Sequence, residues 1–174
     1  MLDYYKPDRV ERWIEELYIE NGIWHPQDLS MENMVCTFSV CVERWESPSK
    51  SLWSNEKRLI LLEQHLKGFA LKKAFFHELG HILQHEGDQM TMPDTYKAFM
   101  ELDTLRFMKV AMMPFFMLKE LEPHEWEYPR YLAHIFNVSY EYAAARLTYI
   151  RRRIEAHYLA EQEQTYRKKQ FVFC

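Results

Sequence analysis

Apolar residues recur at helical spacing from the start of the chain. Val10, Trp13, Ile14, Leu17 and Tyr18 fall on one face of a segment that Pro7 opens at a first helical turn and Asn21-Gly22 closes, which predicts an amphipathic first helix. Asp28 or Ser30 is placed to cap a short second helix through Met34-Val35. The period then drops to two: Phe38, Val40 and Val42 alternate with Ser39, Cys41 and Glu43, as in a half-buried strand. Turn residues at Glu46-Ser47-Pro48-Ser49 and at Asn55-Glu56 bracket a short strand, Ser51-Leu52-Trp53, and an apolar strand follows from Arg58 to Leu62. The expected product is a small three-stranded sheet.

Helical periodicity returns near Leu66 or Phe69 and lasts to about His85, with Phe75, Leu79, Ile82 and Leu83 on the buried side. A cap, an early proline and an acidic residue at Thr91-Met92-Pro93-Asp94 open a second long helix that runs to Pro114. Phe115 to Leu118 continue the core, and the methionines and aromatics of this region read as packing. His124 and Trp126 lie in a Pro-bounded polar loop with no strong signal. From Arg130 to Leu147 the pattern is helix, tight turn, helix: Ala133 is small where helices cross, Asn137 suits a left-handed turn and Ser139 caps the next helix. Residues after Tyr158 are polar and charged, which predicts a tail that is mobile or helical only in part.

The candidate chemistry sits on the polar side of the helix containing His77-Glu78-Leu79-Gly80-His81. Residues four apart lie one turn apart on one face, so both imidazoles can reach a single zinc ion, with Glu78 beside them to take a proton from water. Gly80 allows a backbone or a substrate to come close. The plain alternative is an amphipathic helix carrying two unrelated histidines. A catalytic zinc takes three protein ligands, and helix-to-helix geometry leaves Glu101, Asp103 and Glu86 all open as the third. His85 shares the metal face, but a further turn carries it ~5.4 Å along the axis, so it is expected outside the metal shell.

At 174 residues, 48% of them hydrophobic, the chain can bury one core with a small appended lobe. A net charge of −4 gives no general pull toward nucleic acid or membrane. No apolar run is long enough to span a bilayer, so no membrane partner is expected. Cys36, Cys41 and Cys174 are an odd number at no metal-ligand spacing, and nothing at the N-terminus resembles a signal peptide. A reducing, cytoplasmic setting is expected, with Cys36 and Cys41 as packing or surface thiols.

His-Glu-Leu-Gly-His followed by Glu101-x-Asp103-x-x-x-Phe107-x-x-x-x-x-Met113-Pro114 resembles the ImmA/IrrE family of metallo-endopeptidases. The Leu132-Ala133, Phe136-x-Val138-Ser139 and Arg146-Leu147 stretch is similar to the C-terminal part of the same family, so the likeness runs from about Gly22 to Leu147. It implies an α+β, zincin-like fold: a small three-stranded sheet packed on helices, an HExxH helix, and a C-terminal helix-turn-helix-like extension. The division implied is a zinc peptidase domain over 1–122 and an extension with its tail over 123–174. The resemblance also implies that Glu101 is the third zinc ligand beside His77 and His81, that Glu78 is the general base, and that Asp103 supports a ligand histidine. The chain departs from the family pattern at Thr104 and Met108, where alanine is usual, and at Ala111-Met112, where two leucines are usual.

The implied activity is zinc-dependent cleavage of a helix-turn-helix transcriptional repressor of a prophage or mobile element. Two other functions compete: a zinc-containing binding module that acts without cleavage, on a repressor or as half of a toxin-antitoxin pair, and a direct DNA-binding regulator. Arg151-Arg152-Arg153 and Arg167-Lys168-Lys169 make the C-terminal region locally basic, which allows DNA contact without favouring it over a solvated helix end.

Overall fold

The computed structural model describes residues 4–53, 57–84, 94–122 and 128–171. Helix α1 spans Arg9–Glu20. Asp8 Oδ1 accepts from the Glu11 amide and Glu11 Oε2 accepts from the Asp8 amide, both at 3.0 Å. This reciprocal cap satisfies two donors that a bare helix start would leave open. Pro7 therefore precedes the cap instead of lying in the first turn. A short 3-10 turn, Pro26–Leu29, leads into α2, Met31–Thr37, whose cap is Ser30.

The strand expected from Phe38 begins later. Phe38 closes α2 and Ser39 turns the chain at a positive φ of 51°, so β1 is Cys41–Trp45. Phe38 and Val40 are buried, but by the helix end and its turn. An apolar alternation can cross a helix terminus without being pleated backbone. Strands β2, Lys50–Trp53, and β3, Arg58–Glu63, complete the sheet in the order β1-β3-β2. The β1 pairing with β3 is parallel and that of β2 is antiparallel, with Val42 and Ser51 on either side of Ile60. That register turns Ser51 to the same face as Ile60, a residue with no solvent exposure.

Helix α3, Gly68–Gln84, crosses this face, and α4, Asp94–Ala111, packs on α3. Phe75, Phe76 and Leu79 of α3 are wholly buried. The chain continues through α5, Phe115–Lys119, and α6, Pro129–Ile135, to α7, Tyr140–Phe171. The α6–α7 joint has the expected chemistry: Asn137 takes a φ of 49° and Ser139 Oγ accepts from the Tyr142 amide at 3.1 Å. Lys72 of α3 donates to the Phe136 carbonyl at 2.7 Å, and its burial lowers the ammonium pKa to about 8.

The tail beyond Tyr158, expected to be mobile or helical only in part, is helical as far as the described residues go. Helix α7 continues to Phe171, composed of good helix formers with a Glu163–Arg167 pair one turn apart at 4.0 Å. Its first half is anchored by Arg146, whose guanidinium meets Glu11 of α1 at 2.7 Å with both side chains out of solvent. Tyr5 also donates to Glu11, and Arg146 Nε donates to the Met113 carbonyl at 3.2 Å. One hydrophobic core runs without interruption from Ile14 and Tyr18 through Phe107 and Leu118 to Phe136, Leu147 and Ile150. No described helix is long and apolar enough to cross a membrane.

Candidate metal centre

The site is built where α3 and α4 touch. A Cβ on Gly80 would lie 2.7 Å from Phe107 Cδ1 and 3.0 Å from Thr104 Cγ2, so the helices reach this separation because residue 80 has no side chain. The expected close approach is therefore made by α4. It carries Glu101 to the two histidines.

His77 Nε2 and His81 Nε2 are 3.3 Å apart. Glu101 lies 3.2 Å from each, through a different carboxylate oxygen. Four donors placed tetrahedrally around zinc at bonds of ~2.0–2.1 Å stand ~3.3–3.4 Å from one another. The two Nε2 atoms stand at such a separation and each has a Glu101 oxygen at a similar distance, so the three side chains can converge on one ion. Among the described residues this is the one group of three histidine, cysteine or acidic side chains close enough to share a metal. The His81 side chain is 5% exposed, His77 23% and Glu101 54%, so solvent reaches the cluster from the His77 and Glu101 side.

The Glu78 carboxylate lies between α3 and the sheet, within electrostatic reach of His77 and Glu101. Its carboxylate Oε2 accepts from Ser51 Oγ at 2.9 Å, and both residues are buried. Burial raises the pKa of this carboxyl above its ordinary value. The Ser51 hydrogen bond and the His77 charge oppose that rise, while Glu101 adds to it.

Asp103 is the expected support for a ligand histidine; the contact at His81 comes from its neighbour Thr104. Asp103 Oδ1 pairs with Arg106 at 3.4 Å, whereas Thr104 Oγ1 lies 3.2 Å from His81 Nδ1. Successive helical residues point ~100° apart, so only one of the two can face α3. Ser51 and Thr104 were both missed by sequence reasoning. The one available signal for Ser51 was a polar residue at an inward position of a strand, and for Thr104 its departure from the family's alanine. His85, Glu86, His124, Trp126 and Cys174, with the Asn55-Glu56 turn and the Thr91-Met92-Pro93 start signal, lie outside the described residues.

A small mixed sheet thus backs a helix with two histidines, and the next helix brings a carboxylate to them. Residues 41–148 match the family described as IrrE N-terminal-like domain, and the chain belongs to that family. Two proteins of Bacillus subtilis (strain 168) are similar along most of their length. The phage-like element PBSX protein XkdA is 27% identical over 146 residues, 83% of this chain and 74% of its own. The uncharacterized protein YqaB is 26% identical over 162 residues, 90% of this chain and 92% of its own.

Proposed function

We propose that this protein is a zinc-dependent endopeptidase in which His77, His81 and Glu101 hold the metal and Glu78 is the general base. The observation that carries the proposal is the 3.3 Å separation of the two Nε2 atoms with a Glu101 oxygen 3.2 Å from each, and the buried Glu78 carboxylate next to His77 on the same helix. Two neutral imidazoles and one carboxylate are a donor set that suits zinc. When bound, zinc supplies Lewis acidity at the open fourth position.

The protein's own residues do the rest. Glu78 accepts a proton from the attacking water as its oxygen bonds to the peptide carbonyl carbon. As the C–N bond breaks, Glu78 returns that proton to the leaving amine. Ser51 holds the carboxylate in place between the two transfers. Strand β2 is an edge strand bearing Ser51, so an extended substrate adds along it beside α3.

The proposed substrate is a helix-turn-helix repressor of a mobile element, supported by the likeness to XkdA, a protein named for a phage-like element. A cytoplasmic setting goes with it, since Cys36 and Cys41 are free thiols. The DNA-binding alternative is weakened because Arg146 is committed to Glu11 and Arg153 donates to the Lys6 carbonyl and the Tyr149 hydroxyl. The test is Glu78→Gln, incubated with the repressor beside the wild type. It is expected to retain zinc and lose cleavage. A Glu78→Gln protein that cleaves like wild type contradicts the general-base role, and one that relieves repression without cleavage favours the binding-module reading.

A further inference from the structure

We infer that Thr104 is the positioning residue that fixes His81 as a metal ligand, by accepting the Nδ1 proton and so leaving Nε2 as the lone-pair nitrogen. The inference rests on the zinc reading of the site. Its basis is geometric. His81 Nε2 is one of the three converging donors, and Nδ1 on the other side of the ring lies 3.2 Å from Thr104 Oγ1. Thr104 has no solvent exposure and His81 is buried.

A neutral imidazole carries one N–H and one lone pair. Binding a metal through Nε2 requires the proton on Nδ1, and inside a protein that proton needs an acceptor. The threonine hydroxyl has two lone pairs as well as its own proton, so it accepts from Nδ1 while remaining able to donate elsewhere.

The backbone of the site also seats the threonine methyl. Thr104 Cγ2 would stand 3.0 Å from a Cβ on Gly80, so the methyl lies against the bare backbone of α3 while the hydroxyl faces His81. A β-branched side chain is stiff at χ1, so seating the methyl on Gly80 also sets the direction of the hydroxyl. Gly80 and Thr104 together thus orient the ring of a ligand one residue further along α3. Valine in place of threonine keeps the shape and removes the acceptor. Serine keeps the acceptor and removes the methyl.

The experiment compares the full-length wild type with Thr104→Val and Thr104→Ser. Zinc affinity is measured by competition with a chromophoric chelator, folding by thermal melting, and solvent exchange of the His81 Nδ1 proton in the zinc-loaded protein by ¹H–¹⁵N correlation. Thr104→Val is expected to fold, to bind zinc about 10–100-fold more weakly, and to exchange that proton faster than the wild type. Thr104→Ser is expected to recover most of the affinity and the slow exchange. Wild-type affinity and exchange in a folded Thr104→Val protein would overturn the inference. A wild type that takes up no zinc would overturn the zinc reading itself, an outcome distinct from equal affinity in the two proteins.

Discussion

Ser51 Oγ donates to Glu78 Oε2 across 2.9 Å of buried space, joining the edge strand of the sheet to the helix that carries the site. One hydrogen bond thereby bears on both the orientation of the candidate base and its tendency to ionise. The hydroxyl stabilises the charged carboxylate and so offsets part of the upward pKa shift that burial imposes.

Ser51→Ala removes that offset. The Glu78 pKa then rises further, and because the base acts as its anion, the acid limb of the kcat/KM profile moves to higher pH. Hydrolysis measured across the acid limb in the two proteins is the check. An unmoved acid limb would show that Glu78 does not govern it.

The Glu11–Arg146 pair ties the first helix to the last, at 2.7 Å and out of solvent. Arg146→Met leaves the Glu11 charge buried without its partner, at a cost of about 3–5 kcal/mol in unfolding free energy. Adding Glu11→Gln removes the stranded charge, so the double variant is expected to be more stable than Arg146→Met alone. Urea denaturation of the three variants and the wild type decides this, and additive losses would show that the pair is not coupled.

Lys72 has a pKa near 8 in the folded chain, below the ordinary lysine value of 10.5. The unfolded chain therefore binds more protons between these two values, and stability rises with pH across that window. The wild-type urea midpoint is expected to increase from pH 8 to 10. In Lys72→Met the same rise should be reduced. An equal rise in both proteins would assign the effect to other groups.

Much of this arrangement was legible in local patterns. The His77–His81 spacing places two imidazoles on one face by helix geometry alone, and Asn137 and Ser139 carry turn and cap chemistry in their own side chains. The resemblance selected Glu101, which the structure brings to 3.2 Å from both histidines. What failed depended on contacts between segments distant in sequence. Asp103 and Thr104 are adjacent, and only the packing of α4 on Gly80 decides which faces His81. Ser51 meets Glu78 through the sheet register, which no local window contains. The buried pairing of Arg146 with Glu11 joins residues 135 positions apart, which no local pattern reveals. The start of β1 was misplaced because Phe38 and Val40 bury themselves as a helix end does, with the same spacing a strand would show.

The measurement that bears most directly on the zinc centre is metal content by elemental analysis, on protein purified without chelators, for wild type, His77→Ala and Glu101→Ala. The expected result is about one zinc per wild-type chain and its loss in both variants, as a three-ligand site requires. A wild type that holds no zinc even after reconstitution, or a Glu101→Ala protein that keeps its full complement, would contradict it.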